Sequence, residues 1–159
     1  MKFLLAMMLF FTANAFAEVE IEFDRFTNKT VVSTTSEFLN RIGVEPTPHW
    51  FAAFDGQKPT VTPPVTLTFW KQNKSWEYLQ CNALAMLVDG SPFPVRTSKH
   101  SGTVGSGYVV ERINTSLTAA EATKLSEAKL VEFKICNTEG RFSENDLADL
   151  RKIIQVIKP

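Results

Sequence analysis

The stretch LVEFKICNTEGRFSENDLADLRKIIQVI, residues 130–157, changes character in its middle, and that change decides the fold class. LVEFKIC reads as a strand and NTEGR as a turn. From Phe142 onward the pattern is helical. Leu147, Leu150, Ile154 and Ile157 recur at spacings of three, four and three, which is the apolar stripe of an amphipathic helix. Ser143 is placed to cap it, Asp146 takes the reciprocal box position, and Phe142 with Leu147 forms a hydrophobic staple. Glu144, Asp146 and Asp149 gather early, and Arg151, Lys152 and Lys158 late, as the helix macrodipole favours.

Working back, LTAAEATKLSEA (117–128) is a second helix, with Thr118 and Glu121 forming a capping box. Its inward residues, Ala122 and Leu125, are small or medium, so it lies close to its neighbour. The chain therefore closes strand–helix–strand–helix, and what precedes is built of strands. The expected class is α+β, a mostly antiparallel sheet of about five to seven strands with two C-terminal helices packed on it.

Several strands are legible. EVEIEFD (18–24) alternates Val19, Ile21 and Phe23 against Glu18, Glu20, Glu22 and Asp24, the period of a half-buried strand. The acidic row suits a solvated face or an edge protected by charge better than a cation site, which needs ligands from several directions. Asn28-Lys29 turns into a second extended run through Val31 and Val32, and a short helix is expected over 36–42. VTLTFWKQ (65–72) alternates Val65, Leu67 and Phe69 against Thr66, Thr68 and Trp70. WEYLQCNALAMLV (76–88) reads as one long central strand, apolar on both faces. Asp89-Gly90 is a hairpin turn, and SPFPVRT (91–97) returns as an edge strand because Pro92 and Pro94 cannot donate to a ladder.

Two stretches look irregular. Pro46, Pro48, Pro59, Pro63 and Pro64 argue against a helix or central strand across 43–64, which makes that stretch a long loop carrying Trp50, Phe51 and Phe54. Aromatic residues on such a loop are the expected partner-binding surface. KHSGTVGSG (99–107) reads as a flexible connection opening the strand SGYVVERI (106–113), in which Val109, Glu111 and Ile113 share one face.

The amino terminus carries Lys2, the apolar run FLLAMMLFF, and Ala15-Phe16-Ala17, the layout of a cleaved signal peptide over 1–17 with Glu18 as the new first residue. The apolar run is shorter than the ~20 residues that span a bilayer, and no later segment approaches that length. The expected product is periplasmic or secreted, one globular domain over 18–159 with no integral membrane span. Losing Lys2 from the 17 basic residues leaves one fewer than the 17 acidic ones. That balance lacks the basic footprint of a nucleic-acid binder. In an oxidising compartment Cys81 and Cys136 are expected to bridge.

Reactive constellations are sparse. His49 and His100 are the two histidines. Ser101 and Ser106 lie near His100 in sequence, but GTVGSG is not a nucleophile elbow, and no strand enters a helix there. Its glycines precede a strand and not a helix, which is the wrong context for a phosphate cradle. Two distant cysteines and two distant histidines do not make a zinc site, so no metal and no cofactor is implied. Sequons occur at Asn28, Asn73 and Asn114.

The succession WEYLQCNALAMLVDG, GYVVERI, LVEFKIC and closing amphipathic helix resembles small exported bacterial proteins of uncharacterised function. The resemblance covers residues 20–157. It implies one exported α+β domain and carries no activity or site residue. The function expected is a non-catalytic binding module meeting a protein partner in the cell envelope or medium. The alternatives are a small periplasmic hydrolase using His100 with Ser101 or Ser106, and a purely structural envelope protein.

Overall fold

The computed structural model describes residues 19–34 and 45–159. The expected signal peptide and the helix expected over 36–42 lie outside the described residues. Within them the chain runs β1 (Val19–Asp24), β2 (Lys29–Thr34), β3 (Thr47–Asp55), β4 (Val65–Asn73), β5 (Ala83–Val88), β6 (Ser91–Thr97), β7 (Lys99–Gly105), β8 (Tyr108–Leu117), α1 (Ala119–Glu127), β9 (Val131–Ile135), β10 (Thr138–Arg141) and α2 (Glu144–Val156).

The strands are antiparallel and form two sheets, not one. The larger has the order β1-β2-β3-β4-β8-β7 and the smaller β10-β9-β5-β6. Both helices fall in the C-terminal part, as the sequence implies. Each opens with a capping box, Thr118 with Glu121 and Ser143 with Asp146. The two sheets and the helices share a core. Phe69 of β4 meets Phe133 of β9 at 4.6 Å between ring centroids and Phe142 at 5.9 Å, and Trp50 of β3 meets Phe142 edge-on at 5.3 Å. These rings tie the larger sheet to the smaller sheet and to the start of α2.

Four local readings are corrected. Residues 47–55 are a central strand, and Pro48 is tolerated for a geometric reason. β2 pairs with β3 over Phe51–Asp55, whereas β4 pairs with it over Thr47–Ala52. The N–H that Pro48 lacks would point away from β4, to the same side as the Trp50 amide two residues on, which donates to Thr34, so the pairing with Phe69 on β4 does not need it. The long strand expected over 76–88 begins only at Ala83. KHSGTV is strand β7, and the turn it feeds is Ser106-Gly107, with Gly107 at φ +80°. The NTEGR turn is likewise a strand, β10, and the reversal occurs at Cys136-Asn137, with Cys136 at φ +57°.

The glycines of the β7 region are seats for aromatic rings. A Cβ on Gly102 would lie 2.3 Å from the Trp76 ring and 2.8 Å from the Val110 carbonyl oxygen. Gly105 faces Tyr108 across the ladder, and its Cβ would lie 2.3 Å from that ring. Gly140 is treated the same way by Phe133. An aromatic ring folded over a cross-strand glycine supplies the packing surface the glycine lacks.

Candidate functional site

Period-two alternation continues along β4 past Val65, Leu67 and Phe69 to Lys71, and along β8 it places Glu111 between Val109 and Ile113. Lys71 and Glu111 are direct cross-strand partners on the inner face. Both are buried, Glu111 completely. A charge in such a place must be matched by hydrogen bonds. The loop joining β4 to β5 provides them. Glu111 accepts the amides of Glu77 and Tyr78, each at 2.9 Å. His100 Nε2 donates to the same carboxylate at 3.0 Å. Asn73 Nδ2 bridges Glu77 at 3.0 Å and Glu111 at 3.4 Å. Lys71 Nζ donates to Glu77 at 2.7 Å and to the Tyr78 hydroxyl at 3.3 Å.

The smaller sheet grips the same loop. Thr138 of β10 donates to Glu77 at 2.8 Å and accepts from the Tyr78 hydroxyl at 3.1 Å. Cys81 is disulfide-bonded to Cys136, with Cα atoms 5.9 Å apart, so the expected pairing is present. A disulfide is compatible with an oxidising, exported location. These bonds also explain why WEYLQCN does not form a strand. The amides of Glu77 and Tyr78 are turned into a carboxylate, and the Cys81 amide turns back to the Tyr78 carbonyl.

Electrostatics follow from this packing. Burial works against the charged form of Lys71, but its bonds to Glu77 and Tyr78 outweigh it and hold the ammonium above its ordinary range. Burial likewise opposes ionisation of Glu77, yet Lys71, Thr138 and Asn73 together hold its carboxyl below the usual value. Desolvation dominates at Tyr78 and pushes its hydroxyl up.

The cluster closes on itself. It leaves Trp76 at its rim, with the indole over Gly102 and edge-on to His100 at 5.7 Å. Trp76 is 38 % exposed, Val104 of β7 68 % and Tyr108 of β8 41 %. Trp76 and Tyr108 also border a shallow cleft with Gln72, Asn73, Ser75 and Gly107.

The residues singled out in the sequence fall elsewhere, or fall apart. Trp50 is 1 % exposed and donates from Nε1 to the Asp146 carbonyl at 2.9 Å, so it is a core residue and offers no contact surface. Phe54 is half-buried on the same face of β3, and Phe51 half-buried on the opposite one. His100 faces inward with Glu111. Ser101 faces the other side of β7, where its Oγ lies 3.5 Å from Asn114 Nδ2. Ser106 sits in the turn at the far end of the strand, about 20 Å along the chain from His100 at strand spacing. The described residues do not bring a serine to His100. They contain no group of three or more His, Cys, Asp or Glu side chains placed to hold a metal ion. No helix among them is long and apolar enough to cross a membrane.

Of the three sequons, Asn28 is exposed in the β1–β2 turn, whereas Asn73 is bonded to two carboxylates and Asn114 accepts from Thr68 at 2.8 Å. The sequence reading missed Lys71, Glu77 and Tyr78 as a cluster. The signal was the phase of the alternation, which puts Lys71 and Glu111 among buried apolar residues. No protein-family model, curated protein or solved structure matches this chain.

Proposed function

We propose that the protein is an exported, non-catalytic binding module, acting in the periplasm or outside the cell, that contacts a protein partner through the end of the larger sheet formed by the β7–β8 hairpin and Trp76. The observation that carries this reading is the pairing of exposure with rigidity. Trp76, Val104 and Tyr108 are solvent-accessible apolar side chains, and the backbone behind Trp76 is fixed by Glu111, by Thr138 and by the disulfide. A rigid aromatic anchor loses little conformational entropy on binding, which is what makes such residues effective contact points. The inward-turned His100 supports a structural role for that side chain, since its bond to Glu111 helps hold the loop.

The test is site-specific photocrosslinking in cells, with the probe at Val104 or Tyr108 and a control at Val61, which is 72 % exposed on the β3–β4 loop. A discrete adduct from 104 and 108 that is missing from 61 is expected. Identical adducts from all three positions, or none from 104 and 108, would overturn the proposal.

A further inference from the structure

The two sheets have four edges among the described residues, and three of them are defended. β1 carries Glu20, Glu22 and Asp24 on one side. β6 carries Pro92 and Pro94. β10 is four residues long. These are the devices by which proteins keep a sheet edge from pairing with another chain. β7, the remaining edge, has seven residues, KHSGTVG, with no proline and one lysine. Just before it, the Ser98 amide donates to the Asn82 carbonyl, next to the start of β5, and the edge strand proper begins at Lys99.

Resting on the reading of this end of the sheet as the contact surface, we propose that β7 accepts an extended segment of a partner protein by strand addition, and that the segment alternates apolar and acidic residues. The alternation follows from the two sides of the edge. On the inner side a new strand would run beside the Trp76 indole and Val104, which call for apolar residues. On the outer side it would meet Lys99, Ser101 and Thr103, with Arg112 one strand further in and the Tyr108 ring over Gly105 at the hairpin end. No residue of β7 is acidic, and the carboxylate of Glu77, the residue after Trp76, is already bonded to Lys71. A strand with acids on its outer side is therefore matched in charge as well as in pattern. Main-chain bonds would supply affinity and the alternate side chains specificity, which is the usual division in this mode of recognition.

The test uses the purified protein and a capped peptide of sequence Glu-Val-Glu-Ile-Glu-Phe-Asp, with a control peptide of the same composition in which acids and apolar residues are segregated. Amide hydrogen exchange followed by NMR should show alternate amides of β7 becoming protected with the alternating peptide and not with the control. Binding should weaken with salt. It should weaken at least tenfold in Lys99→Glu and in Val104→Glu, both exposed positions whose melting temperatures should stay at the native value. No protection of β7 amides at millimolar peptide would overturn strand addition. If crosslinks from Val104 and Tyr108 persist in that case, the contact surface stands and the binding mode alone falls. Protection of β7 that grows with protein concentration and needs no peptide would mean that a second copy fills the edge, and would also overturn the proposal.

Discussion

Glu111 and Tyr78 are 33 residues apart in sequence, yet the carboxylate of the first accepts the backbone amide of the second at 2.9 Å in a place closed to water. The Glu77 amide and His100 Nε2 converge on the same side chain. Replacing Glu111 by alanine strands two amide donors and a histidine, and should destabilise the protein by about 3–5 kcal/mol, the range for breaking a buried charged cluster from one side. Glu111→Gln keeps the shape and one acceptor oxygen but turns an NH2 toward a donor, and should cost about 1–3 kcal/mol. Urea unfolding of both variants checks the order. Equal, negligible losses would mean that the loop over 74–82 does not depend on this carboxylate.

The two ring-seat glycines of β7 should respond differently to the same change. At Gly102 an added Cβ meets both the Trp76 ring and the Val110 carbonyl oxygen, and the latter belongs to the paired strand and cannot swing away. Gly102→Ala should therefore cost about 1–3 kcal/mol, as overpacking does. At Gly105 the near atoms all belong to the Tyr108 ring, which is 41 % exposed and free to rotate out. Gly105→Ala should cost well under half as much, and Tyr108→Ala should remove the penalty altogether. Melting temperatures of the native protein, the three single variants and the Gly105→Ala, Tyr108→Ala double variant decide this.

That contrast bears on what could be read in the sequence. Elements with a single strong period, such as α2 through Leu147, Leu150 and Ile154 or β4 through Val65, Leu67 and Phe69, were legible because burial on one face fixes their pattern. β7 was not, because its glycines are seats for rings supplied by residues elsewhere, and Gly102 reads as a turn residue until Trp76 is known to lie over it. Pro48 is misleading for a related reason, since a proline interrupts a strand only where the neighbour on its N–H side needs that donor. Trp50, Phe51 and Phe54 read as loop residues for the same reason, whereas they lie on β3, with Trp50 in the core and the two phenylalanines half-buried. The second sheet was hidden by the reach of Cys136 and Thr138 back to residues 77–81, a long-range pairing that no local period records.

The disulfide holds the loop to the β9–β10 reversal and closes a separation of 55 residues. Loop-closure entropy puts the effect of losing it at about 4 kcal/mol. In a Cys81→Ser, Cys136→Ser double variant the loss should concentrate in the loop, and limited proteolysis should cut between residues 74 and 82 before it cuts the strands. Intact mass with and without reductant and alkylation should show both sulfurs blocked in the native protein. Cleavage that begins in the sheets instead would mean that Glu111 and Thr138 hold the loop unaided.

His49 sets the last expectation, through pH. It lies half-buried on β3, and its Nε2 is 3.2 Å from the Thr34 carbonyl, an acceptor that requires the nitrogen to donate. The neutral ring with its proton on Nε2 satisfies that bond. Burial disfavours the imidazolium and outweighs the support of that carbonyl and of Glu20, so the pKa falls below the ordinary value of 6.5. A group whose folded pKa lies below its unfolded one stabilises the fold above the unfolded value, and that stability is lost as pH drops through the folded pKa. The melting temperature should therefore decline as pH is lowered from about 7.5 to about 5, within the range where histidine titrates and before most carboxylates do. His49→Gln, which keeps a donor for Thr34 and removes the titration, should flatten that decline. A decline that keeps the same slope in His49→Gln would mean that burial of this ring on β3 does not set the pH dependence of stability.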